Sequence, residues 1–130
     1  MEQQHQVRDD AERLRQFKAE FFKALAHPVR IRLLEVLRHG ERSVQELQAA
    51  LALDQSAVSQ QLAILRARHV VTARKQGTTV RYTVRDARVG DLLDLARAIF
   101  NAQLTGSQSM LRELRRETRR PSRRPTTSSA

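Results

Sequence analysis

The chain has 130 residues, 40% of them hydrophobic but only 4% aromatic, so it can build one modest core, mainly from Leu, Val, Ile and Ala. It contains no cysteine, which excludes disulfides, thiolate catalysis, thiol redox sensing and cysteine metal sites. The formal charge is +10, and residues 105–130, with seven arginines against two glutamates, supply half of that excess. A basic surface of this kind attracts nucleic acid, anionic lipid or an acidic protein.

The first residues, MEQQHQVRDDAERLR, lack the apolar stretch of a signal peptide. No apolar run approaches the roughly 18 residues of a membrane span. A cytoplasmic protein with no membrane partner is expected, with residues 1–8 flexible. From Asp9 to Ala26, Leu14, Phe17, Phe21 and Leu25 recur at spacings of three and four, which predicts an amphipathic helix. His27-Pro28 interrupts it, and Pro28 suits the first turn of a new helix, where its missing N–H would be unpaired anyway. Ile31, Leu33, Leu34, Val36 and Leu37 make that helix apolar on most sides, so it is expected at the centre of the core, ending at Gly40.

Ser43-Val44-Gln45-Glu46 reads as a capping box opening a short helix through Leu47, Ala50 and Leu51. Ala52-Leu53 makes a tight turn, and Asp54 is an N-cap for a helix reaching Arg68. Two short helices joined so briefly are a helix-turn-helix layout. The period then changes. Val70 to Arg74 and Thr79 to Val84 read as strands of a hairpin around Lys75-Gln76-Gly77-Thr78. Helical spacing returns from Ala87 to Leu104, and residues 105–130 read as an Arg-rich, largely disordered tail with a few helical turns through Met110, Leu111 and Leu114.

At 100° per residue, Val58, Leu62 and Leu65 gather on one side of the helix over 54–68. Ser56, Ser59, Gln60, Ala63 and Ala67 fall on the other, flanked by Gln55 and Arg66. Short hydroxyls, amides and alanines let a helix approach base edges closely, with Gln able to pair with adenine and Ser with several bases. An ordinary solvated face has the same composition. The basic hairpin follows directly, and Arg74, Lys75 and Arg81 around its polar tip suit the sugar-phosphate backbone or the minor groove. No nucleophile motif, Gly-rich phosphate loop or HExxH pattern is present, so no enzyme is expected.

The stretch LAHPVRIRLLEVLRHGERSVQELQAALALDQSAVSQQLAILRARHVVTARKQGTTVRYTVRD resembles the ArsR/SmtB family of winged-helix regulators, most specifically in SAVSQQLAIL and RKQGTTVRYTV. The resemblance spans about Phe17 to Leu104. It implies a mainly α fold with a β-hairpin wing and five or so helices, placing a winged helix-turn-helix domain over 9–104. It also implies a homodimer joined by the first and last helices, which binds an imperfectly palindromic double-stranded DNA operator and represses its own operon until an effector binds. The family pattern puts phosphate and base contacts on Ser56–Gln61, so the residues expected at DNA are Gln55, Ser56, Ser59, Gln60, Gln61, Arg66, Arg74, Lys75 and Arg81. A winged helix that binds proteins, and a DNA binder with no effector, remain as alternatives.

Many members of that family sense metals. The cysteine-based site at the start of the third helix falls here on Ser43-Val44-Gln45, and the zinc-type site of the last helix falls on Asp86, Arg88, Ile99 and Ala102, of which only Asp86 is a zinc ligand. Of the four histidines, His5 stands one helical turn from Asp9, and that nitrogen and carboxylate pair suits nickel or zinc as an effector, with Glu12, Glu20 or a histidine of a second copy completing the site.

Overall fold

The computed structural model describes residues 2–119. Its elements are helices α1 (Glu2–Leu25), α2 (Pro28–Leu37), α3 (Val44–Leu51), α4 (Gln55–Ala67) and α5 (Arg88–Arg119), with strands β1 (Arg42–Ser43), β2 (Val71–Gln76) and β3 (Thr79–Val84). Two compact units divide the chain at Leu93 and Asp94. The first holds α1 to α4, the sheet and the start of α5; the second, among the described residues, is the remaining length of α5.

The core of the first unit is aliphatic, as the composition requires. Leu33, Leu34 and Leu37 of α2, Leu47 and Leu51 of α3, and Val58, Leu62 and Leu65 of α4 are buried together with Ala24, Leu25, Val70, Val71 and Val89. Helix α2 is thus central. Pro28 occupies its first turn, and the His27 ring accepts a hydrogen bond from the Val29 N–H through Nδ1 at 3.1 Å. This gives the junction histidine a capping role. The capping box on α3 forms as expected: Ser43 Oγ accepts from the Glu46 N–H at 3.2 Å, and Glu46 Oε1 accepts from the Ser43 N–H at 3.4 Å.

The sheet is antiparallel with strand order β1-β3-β2. Strand β1, only Arg42 and Ser43, pairs with Tyr82 and Arg81, and no side-chain period could announce so short a segment. The hairpin ladder also runs further than expected. Lys75 pairs with Val80 and Gln76 with Thr79, leaving a two-residue loop at Gly77-Thr78 in which Gly77 takes φ +64°. A two-residue loop with positive φ matches the twist of the flanking strands, so the pairing continues to the tip.

Both outer helices exceed their expected bounds. Residues 2–8, ahead of the expected helix start at Asp9, already belong to α1, because Glu, Gln and Arg are good helix formers even without an apolar face. Helix α5 likewise continues past Leu104 to Arg119 through Gln, Met, Leu, Arg and Glu, crossing Thr105-Gly106-Ser107 without a break. The rest of the expected tail, residues 120–130, lies outside the described residues.

Helix α4 stops at His69 with a defined geometry. The Val70 N–H donates to the Leu65 carbonyl at 2.9 Å and the His69 N–H to that of Arg66 at 3.0 Å, the bonding of a Schellman stop to α4, and His69 takes φ +60°. A left-handed conformation costs an ordinary residue about 1–2 kcal/mol. His69→Gly should therefore stabilise the fold by roughly 0.5–1 kcal/mol after the extra chain entropy of glycine is subtracted. Urea unfolding at fixed protein concentration measures it, and a destabilised variant would mean that the imidazole itself contributes more than the strain costs.

Candidate nucleic-acid interface

Helix α3 ends on Ala52, held at φ 54° by a bond from its N–H to the Gln48 carbonyl, and the chain turns through Leu53. Asp54 then opens α4, with Oδ1 accepting from the Ala57 N–H at 2.9 Å and from the Ser56 hydroxyl at 3.4 Å. Three residues therefore reorient the chain, and the buried Val58, Leu62 and Leu65 fix the rotation of α4 about its axis. The opposite face carries Ser56, Gln60, Ala63 and Ala67, all exposed, with exposed Gln55 and Arg66 beside it. Ser59 is half-buried. Gln61 lies toward the core flank, half-buried, with Oε1 enclosed and without a hydrogen-bond partner among the described residues.

The wing separates its three cations. Lys75 is exposed near the tip and engages no carboxylate among the described residues. Arg74 and Arg81 face each other across β2 and β3, and both turn to acidic groups of the first unit. Arg74 Nε and Nη2 donate to Glu41 Oε1 and Oε2, each at 3.1 Å. Arg81 Nη2 lies 3.2 Å from Glu46 Oε1, with Nε 3.8 Å from Glu41 Oε1. The Glu46 carboxyl is held below its ordinary range, first by the Ser43 backbone N–H, then by the Ser43 hydroxyl and the charges of Arg81 and Arg42. Glu41 had no sequence-level signature: it stands 33 residues from Arg74, and only the folded sheet brings them together.

The metal candidates are dispersed. His5 and Asp9 share the exposed outer length of α1, but Glu12 is engaged by Arg15 at 2.8 Å and Glu20 by Arg68 at 2.9 Å. Among the described residues no three His, Asp or Glu side chains are grouped to hold a metal. Asp86 spends its carboxylate on Arg88, with Nη2 at 2.6 Å, Nε at 3.0 Å from Oδ1, and the Arg88 N–H at 2.9 Å. The Arg88 side chain and N–H push its pKa down to about 2, and the same contact raises that of Arg88. No helix among the described residues is long and apolar enough to cross a membrane.

Capped α3, a three-residue turn, a helix with one buried and one exposed polar face, and a basic antiparallel hairpin define a winged helix-turn-helix protein. The sequence pattern of the arsR family of bacterial regulatory proteins matches residues 27–72, from the α2 cap into β2. The HTH-type transcriptional regulator Rv0081 of Mycobacterium tuberculosis is 42% identical over 107 residues, covering 82% of this chain and 94% of that protein. Its crystal structure superposes with a TM-score of 0.66 over 72% of this chain and 95% of that one, at 43% identity. The biofilm growth-associated repressor of Xylella fastidiosa is 35% identical over 99 residues, 76% of this chain and 87% of its own. A homodimeric winged helix-turn-helix DNA-binding domain, Mb0332 of Mycobacterium bovis, gives a TM-score of 0.66 at 29% identity, over 74% of this chain and 89% of that one. The chain belongs to the arsR family and is a transcriptional regulator, not an enzyme.

Proposed function

We propose that this regulator is a cytoplasmic, sequence-specific repressor of its own operon, a homodimer that sets α4 of each copy in the major groove of an imperfectly palindromic operator. The observation that carries this reading is the exposed face of α4. Gln60 and Ser56 offer donors and acceptors there, Ala63 and Ala67 permit close approach, and the buried side fixes the aim. Gln55, Ser59 and Arg66 border that face and supply base or phosphate contacts. Gln61, half-buried on the core flank, contributes at the edge of the same DNA-facing segment. Lys75 supplies the wing's contact with the backbone or minor groove. A second copy accounts for the apolar side chains left open on α1 and α5, among them Phe17, 72% exposed, and Phe100, 61% exposed.

A divalent metal effector, nickel or zinc at His5 and Asp9, is the second reading. One helical turn between an imidazole and a carboxylate supports it, and the further ligands would have to come from a second copy.

Selection of bound duplexes from a random pool tests the DNA reading. Enrichment of a two-fold symmetric sequence, bound more tightly than random DNA and with salt-sensitive affinity, is the expected result. No enriched sequence would leave a winged helix that binds proteins. Repeating the binding with nickel or zinc decides the effector: unchanged affinity and unchanged thermal unfolding remove the metal reading.

A further inference from the structure

Arg74 and Arg81 stand directly opposite each other in the hairpin register, where like charges repel. The carboxylate of Glu41 reaches both: it grips Arg74 with two parallel hydrogen bonds of 3.1 Å and lies 3.8 Å from Arg81. Arg81, 25% exposed, is further tied to Glu46, and Glu46 is itself anchored in the cap of α3. That pair is built into the fold. Arg74 differs, because its side chain is 60% exposed and open to solvent, while Glu41, 28% exposed, lies beneath. With Arg42, whose charge also reaches Glu46, three cations meet two carboxylates, so most of the positive charge in this part of the wing is offset within the fold.

A planar carboxylate presents to a guanidinium the same pair of oxygens that a DNA phosphate does. Arg74 cannot make the full fork with both, and if it leaves Glu41, that carboxylate keeps only the 3.8 Å approach of Arg81 and stays close to the polyanion. We propose that Glu41 is an internal competitor for DNA phosphate, which holds Arg74 back from the backbone and so limits the sequence-independent affinity of the wing. The inference rests on the reading that the wing faces DNA. It predicts that Lys75 contributes more to phosphate binding than Arg74, although Arg74 carries the same charge and is equally a residue of β2.

Salt titrations of binding to a random-sequence duplex test it. Glu41→Gln keeps the side chain's size and an oxygen for Arg74 but removes the charge. It should bind several-fold more tightly, with a salt slope steeper by about 0.9, the increment of one additional neutralised phosphate. Arg74→Ala should change little in the wild-type chain and should abolish the gain when combined with Glu41→Gln. If Glu41→Gln folds with unchanged thermal stability yet binds no more tightly and with an unchanged slope, Glu41 is only a brace for the wing. Should that variant fail to fold, the single substitutions still decide: an Arg74→Ala loss as large as that of Lys75→Ala overturns the proposal. A wild-type chain that binds no duplex at low salt overturns this inference together with the DNA reading, whereas a wild-type chain that binds and a Glu41→Gln variant that gains nothing overturn this inference alone.

Discussion

Replacing Phe100 and Leu104 together by glutamate should give a folded monomer that no longer holds an operator. The two side chains are 61% and 59% exposed on α5, and after two helical turns the same stripe resumes at Leu111 and Leu114, three residues apart. Burying a side chain of this size is worth about 1.5–3 kcal/mol, and a symmetric dimer gains it twice for each position. Four such burials lost, with charges put in their place, exceed 6 kcal/mol by a rough sum, enough to move a micromolar dimer beyond any working concentration. Sedimentation should then report 14.9 kDa in place of twice that mass. Because each copy would supply one reading helix, the monomer loses the second half-site and with it most of the affinity. A variant that sediments unchanged as a dimer would show that another surface joins the copies.

Gln60→Ala should weaken operator binding by about 1–3 kcal/mol and relax base preference at one position of each half-site. Gln60 lies opposite Leu62 and Val58 on α4, exposed and without a side-chain hydrogen bond among the described residues, so its loss should leave the fold intact. Affinity for random DNA and the salt slope should hardly move, since a neutral amide releases no counterion. Repeating the random-pool selection with the variant separates a reader from a bystander. An unchanged selected sequence at unchanged affinity would remove α4 from the role of reading helix.

The helix-turn-helix and the hairpin were legible in the sequence because each is written in local chemistry. Ser43 and Glu46 cap α3 from three residues apart, Asp54 caps α4 on its own first turn, and the period of two from Val80 to Val84 is visible without knowledge of the fold. What escaped was set by distance or by an exception. Strand β1 exists only because β3 lies beside it, and Glu41 meets Arg74 across 33 residues. At Ala52 and His69 the left-handed backbone is taken by residues that do not advertise it, whereas glycine at either position would have marked the helix end. For the site, the polar face of α4 followed from periodicity. The division of the wing cations into two engaged arginines and a lysine that meets no carboxylate among the described residues did not follow, since periodicity says nothing about which carboxylate a guanidinium will find.

Helix α1 raises a different matter, that of local order. Residues 2–19 are exposed throughout, and only the last turns, with Ala24 and Leu25, enter the core. A polar helix of that length is marginal by itself in water, so little within the chain protects its outer amides from solvent exchange. Its order would be set by whatever lies against Leu14 and Phe17, and a dilute chain would fray there while the winged core stayed closed. The N-terminal third of α1 would then act as a gauge of assembly: its helicity would follow the concentration of protein, and any ligand that drew two copies together would sharpen it without touching it.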